Sequence, residues 1–73
     1  MKSFQLQQKI GEKIRLTREH KGISQQDLAA TCDFEKSNMS RIEAGKTNFT
    51  ISTLYKISNA LDVKLSELVD VVD

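Results

Sequence analysis

A chain of 73 residues has room for one domain, taken here as residues 1–73, and a domain so short buries only about 60% of its unfolded surface. The absence of proline, the three glycines and the helical spacing of the apolar residues predict an all-α fold, a compact bundle that a second copy would help stabilise. One cysteine excludes an internal disulfide and any multi-cysteine zinc site, and no apolar run approaches the roughly 20 residues that span a bilayer, so the expectation is a soluble cytoplasmic protein.

The first helix is predicted from Ser3, as its cap, to about His20. Leu6, Ile10, Ile14 and Thr17 share one face, spaced by four, four and three. Leu16 stands beside Thr17, so either the helix rolls slightly or Leu16 is partly exposed. His20, the only histidine, falls at the helix C-terminus, where a partial positive charge is favoured, and reads as a surface residue. Gly22 closes the helix, and Ile23 occupies the apolar position before the next cap.

Ser24 caps a second helix of about Gln25 to Cys32, in which Leu28, Ala29 and Cys32 make a narrow apolar stripe. Cys32 reads as a buried thiol; the alternative, a redox sensor, has no basic neighbour in sequence to support it. Asp33 breaks the pattern and Phe34 is a single apolar plug. A third helix, about Lys36 to Ala44, turns Met39 and Ile42 inward, and Gly45 ends it. That leaves Glu35, Lys36, Ser37, Asn38 and Arg41 outward, a row of hydrogen-bonding groups of the kind needed to read base edges in a major groove.

A polar loop around Phe49 leads to Thr50, the cap of a fourth helix, Ile51 to Leu61, with Ile51, Leu54, Ile57 and Leu61 expected inward. Val63 and Leu65 lead into a short fifth helix capped by Ser66, with Leu68 and Val69 inside. Val69, Val71 and Val72 are more apolar than a solvated terminus needs. They form either a partner surface, joined by Tyr55 and Leu16, or a tail laid on the chain's own core.

Charge is unevenly spread although the net is +1: residues 1–46 hold nine Lys or Arg against six Asp or Glu, and residues 47–73 hold two against four. A basic front and an acidic tail suit a protein that meets phosphate on one side. One histidine, one cysteine and no glycine-rich phosphate loop leave no place for catalysis, so no enzyme and no cofactor is expected.

Ser24-Gln25-Gln26-Asp27-Leu28-Ala29, then Met39-Ser40-Arg41-Ile42-Glu43-Ala44-Gly45, then Leu54 to Leu61, resemble the helix-turn-helix of the lambda-repressor-like (Cro/CI, or Xre) DNA-binding family. The resemblance runs from about Ile10 to Leu68. It implies a five-helix bundle with the helix-turn-helix at helices 2 and 3, a recognition helix of about residues 35–44 in the major groove, and a transcriptional regulator of double-stranded DNA. Projected from the family, base reading falls to Glu35, Lys36, Ser37 and Arg41, with Asn38 as a further candidate. Glu35 also has a simpler role, stabilising the helix N-terminus.

The same projection gives phosphate contacts to Gln25, Lys46 and Asn48 and a partly buried ion pair to Arg18 and Glu43. Ser40 is expected to face a neighbouring helix. Because one domain reads too few base pairs to pick a genomic site, a homodimer on a pseudopalindrome is expected, its interface built by helix 5, the valine tail Val69, Val71 and Val72, and the loop before helix 4. Relatives of this kind also include restriction-modification controllers and antitoxins, the latter with a toxin as protein partner. Departures from the pattern are Asp33 where glycine is common, Glu35 in place of a small cap, and Ala44 where a phosphate-bonding Arg or Asn is frequent, which together imply weaker non-specific binding.

Overall fold

The computed structural model describes residues 3–71, all helix and loop: α1 (Ser3–His20), α2 (Gln25–Thr31), α3 (Lys36–Glu43), α4 (Ile51–Leu61) and α5 (Leu65–Val69). Among the described residues no helix is long and apolar enough to cross a membrane.

Side-chain oxygens fix two of the helix starts. Ser24 Oγ accepts from the Asp27 amide at 3.0 Å, and Thr50 Oγ1 accepts from the Thr53 amide at 3.0 Å. Ser3 is already the first helical residue, so its expected cap position lies outside the described residues. Ser66 is not the cap of α5. That position belongs to Lys64, whose amide donates to Glu67 Oε2 at 3.3 Å, so a carboxylate at the third helical position reaches back to the cap residue's own amide.

Four helices stop in one way, with a residue of positive φ that turns the chain back over the last turn: Gly22 (71°), Asp33 (59°), Gly45 (73°) and Asp62 (57°). In each, the next amide reaches five residues back: Ile23 to Arg18 O (3.1 Å), Phe34 to Ala29 O (2.8 Å), Lys46 to Arg41 O (3.0 Å) and Val63 to Ser58 O (3.0 Å). Ile23, Phe34 and Val63 then drop onto the core, so three of these turns are sealed by an apolar side chain.

The core is Ile10, Ile14, Leu28, Ala29, Cys32, Met39, Ile42, Leu54, Ile57, Leu61 and Leu68. Helix α1 crosses the end of α3 closely enough that Gly11 is buried: a Cβ there would sit 2.5 Å from the Ile42 carbonyl oxygen. Leu16 is exposed while Thr17 is half-buried, which resolves the choice in favour of an exposed leucine.

Three inward expectations are overturned, two of them, Ile51 and Val69, at the edges of apolar stripes. Ile51 is 71% exposed, because α4 turns Leu54, Ile57, Ser58 and Leu61 inward and leaves its first residue outside. Ser58 is buried at no cost in unpaired groups, its hydroxyl donating to the Tyr55 carbonyl at 2.7 Å. Val69 is 38% exposed beside the fully buried Leu68, and Ser40 is exposed because Met39, Ile42 and Glu43 take the inward places on α3. Of the remaining terminal valines, Val71 is half-buried against the chain's own core, and Val72 lies outside the described residues.

Candidate nucleic-acid interface

Helix α3 is amphipathic in the strict sense that its buried edge is Met39, Ile42 and Glu43 and the rest is polar or small. Glu35, Lys36, Ser37, Asn38 and Arg41 are all exposed. Successive residues turn by about 100°, so Ser37, Ser40, Arg41 and Ala44 lie most nearly opposite the buried edge, with Lys36 and Asn38 flanking them. Ser40 and Ala44 therefore belong to the outward face that the sequence reading left to the other five. Glu35 is the N-cap and bonds nothing with its side chain at that end. Arg41 sits in the last turn, where a cation is favoured by the helix dipole.

The inward Glu43 is the joint that orients this face. Its Oε2 accepts from Arg18 Nε at 2.8 Å and its Oε1 from Arg18 Nη2 at 3.1 Å, a two-bond fork between α1 and the end of α3. Arg18 Nη1 also donates to the Ile23 carbonyl at 2.9 Å. The pair is well shielded, with side chains 11% and 3% exposed, and the carboxylate raises the affinity of Arg18 for its proton. Arg18 is thus an internal tie, its charge already answered before any phosphate arrives.

Gln25 completes the joint: its Nε2 donates to Glu43 Oε1 at 3.1 Å. This brings the amino end of α2, with its amides free of intrahelical acceptors, against the carboxyl end of α3. The carboxamide nitrogen has a second hydrogen, and the Gln25 amide is at the first helical position, so both can still meet an anion. Lys46 is exposed just past α3, and Asn48 is exposed with its Oδ1 taken by Gln7 Nε2 of α1. Gln25 reaches the carboxyl end of α3 through Glu43, and Lys46 and Asn48 follow that end in the chain, with the outward polar row running away from it. Nothing in the spacing of the sequence pointed to Gln7, which is 41 residues from its partner.

Cys32 is buried, and its thiol faces the Lys56 carbonyl, with Sγ 3.8 Å from the oxygen. Burial pushes its pKa up and the Lys56 charge pulls it partly back. The basic neighbour absent from the local sequence is supplied by α4, yet the net shift is toward an inert thiol. His20 is exposed on the last turn of α1.

The helix-turn-helix family HTH_3 matches residues 14–68. The HTH-type transcriptional regulator SlrR of Bacillus subtilis is 45% identical over 62 residues, 84% of this chain and 41% of SlrR. Control protein C.BamHI of Bacillus amyloliquefaciens is 39% identical over 62 residues, 84% of this chain and 76% of that protein. Among solved structures, the restriction-modification controller C.AhdI from Aeromonas hydrophila superposes with a TM-score of 0.81 at 33% identity, covering 84% of this chain and 92% of that one. The biofilm regulator SinR in complex with DNA superposes at 0.76 with 40% identity, covering 84% of this chain and 98% of that one. With α2 and α3 set as described and the match spanning most of its length, the chain belongs to the HTH_3 helix-turn-helix family, of the Cro/CI (Xre) type.

Proposed function

We propose that the protein is a sequence-specific regulator of transcription that inserts α3 into the major groove of double-stranded DNA and acts without catalysis. The observation that carries this reading is the outward row Lys36, Ser37, Asn38 and Arg41, stripped of large apolar side chains on a helix held from behind by the Arg18–Glu43–Gln25 joint. Lys36 and Arg41 can donate to guanine O6 and N7, and Ser37 and Asn38 can donate or accept. Glu35 can accept from cytosine N4. Gln25, Lys46 and Asn48 fix the angle of entry through phosphates.

One module reads too few base pairs to select a genomic site, so the active species is a homodimer on half-sites about 34–36 Å apart. Val69 remains available for that contact, and the exposed Ile51 and Tyr55 of α4 extend the apolar surface on offer. Light scattering tests it: Val69→Asp combined with Ile51→Asp should lower the mass to that of a monomer, and an unchanged mass rejects this surface.

The function itself is tested by fluorescence anisotropy with a duplex from just upstream of the gene, against a scrambled duplex, at two salt concentrations. Preference that survives the higher salt and collapses in Arg41→Ala supports sequence reading. Equal, weak binding to both duplexes that disappears with salt leaves only the electrostatic term and rejects it. Control of a restriction-modification gene set is a second reading, supported by the likeness to C.AhdI and C.BamHI; it predicts that the bound site lies before such genes.

A further inference from the structure

Helix α1 grips the turn that leaves the recognition helix at three successive points. Gly11 packs under the carbonyls of Ile42 and Glu43, Gly45 lies against the backbone of Gln8, where a Cβ would come within 2.5 Å of Gln8 Cα, and Gln7 Nε2 donates to Asn48 Oδ1. Phe49, the next residue, packs on the core beside Leu6, Ile10 and Leu54. Asn48 is therefore exposed but not loose: the residue after it is anchored and one end of its carboxamide is held.

That hold has a polarity. A carboxamide has one accepting end and one donating end. With Oδ1 committed to Gln7, the group that Asn48 offers outward is Nδ2, with two hydrogens, the end a phosphate oxygen can accept from. The opposite setting would present oxygen lone pairs to an anion. Gln7 is half-buried on α1, and its carboxamide nitrogen is spent on Asn48.

We propose that Gln7 is a positioning residue for DNA binding, one that sets the orientation of Asn48 so that its carboxamide N–H groups face a backbone phosphate. This rests on the reading of the turn after α3 as phosphate-facing. A neutral donor releases no counterion, so its loss lowers affinity without changing the salt dependence, unlike the loss of Lys46.

The test uses the full chain and a labelled duplex from upstream of its own gene, with anisotropy at several salt concentrations for Gln7→Met, Gln7→Glu, Asn48→Ala and the two double variants. Asn48→Ala should weaken binding about tenfold, the size of one hydrogen bond to a charged group, with the salt slope unchanged. Gln7→Met should lose a similar factor alone and nothing further in the Asn48→Ala background.

Gln7→Glu is the discriminating variant. A carboxylate can hold Asn48 only by its Nδ2, so it clips the turn as firmly while reversing the amide. Corrected for charge by the same change in the Asn48→Ala background, it should bind at least as poorly as Gln7→Met. Near wild-type affinity in corrected Gln7→Glu, or in Gln7→Met, overturns the proposal. A wild type that prefers no duplex overturns the function itself, and a wild type that does, with Asn48→Ala unaffected, removes only the phosphate contact and Gln7's role with it.

Discussion

Arg18 and Glu43 meet in a two-bond fork, 2.8 Å and 3.1 Å, between the last turn of α1 and the last residue of α3. The carboxylate is 3% exposed, so its charge is stabilised almost wholly by Arg18 and Gln25. Such a pair is poor evidence of net stability, since its attraction must offset the loss of two hydration shells. Its use is angular: it fixes where the end of α3 sits relative to α1 and α2.

Removing one member should therefore be far worse than removing both. Glu43→Ala leaves the shielded Arg18 with only the Ile23 carbonyl and, at 3.9 Å, the half-exposed Glu19 carboxylate, and should cost up to about 3–5 kcal/mol, whereas Arg18→Met with Glu43→Leu should recover most of that. Urea denaturation followed by circular dichroism decides it. A double variant no more stable than Glu43→Ala would mean that the damage is lost packing and not an orphaned charge.

The glycines separate steric from conformational cost. Gly11→Ala places a methyl 2.5 Å from the Ile42 carbonyl oxygen and 2.8 Å from that of Glu43, and backbone cannot swing aside as a side chain would. The expected loss is about 1–3 kcal/mol. Gly22→Ala meets nothing within 4 Å but has φ of +71°, so only the left-handed strain of about 1 kcal/mol applies. Gly45→Ala incurs both and should be the least stable of the three by urea midpoint. Gly11→Ala matching the wild type would show that α1 and α3 can part freely.

Much of this architecture was legible because helical period, caps and glycines are local. Leu28, Ala29, Cys32, Met39 and Ile42 were placed inward by spacing alone, and they are. Ile51 and Val69 lie at the border of an apolar stripe, where the position of the neighbouring helix decides burial, and spacing cannot supply that. Ser40 was placed inward by the family resemblance, whereas the buried edge of Met39, Ile42 and Glu43 leaves it on the outward face. The Gln7–Asn48 bond and the Lys56 charge near Cys32 join residues 41 and 24 apart, so only the fold brings them together.

Asp33 and Asp62 carry positive φ where a glycine would be at ease, yet only Asp33 broke a visible pattern. Both turns exist to return an apolar residue, Phe34 or Val63, to the core. Aspartate tolerates this conformation better than most residues, but still with strain. Asp33→Gly and Asp62→Gly should each raise stability by up to about 1 kcal/mol, partly offset by a more flexible unfolded chain. Asp33→Val, β-branched in the same conformation, should lose about 1–2 kcal/mol. Thermal midpoints in that order support strain at these turns; Asp33→Val equal to wild type denies it.

Cys32 ties stability to alkaline pH with a definite sign. Burial raises the folded thiol's pKa, while in the unfolded chain the thiol ionises near its ordinary value of about 8.5. Above that value the unfolded state binds fewer protons than the folded one, so stability falls as pH rises; below it the contribution of the neutral buried thiol is complete. Cys32→Ala loses buried volume and should be less stable at pH 7 by about 1–2 kcal/mol. Its deficit should shrink between pH 8 and 10, because the variant has no thiol to ionise, while lysine titration is common to both proteins. Urea midpoints of the pair across that range give the measurement. A deficit that stays constant would mean that the folded thiol titrates as freely as the unfolded one, which the 4% exposure of Cys32 and its enclosure between α2 and α4 argue against.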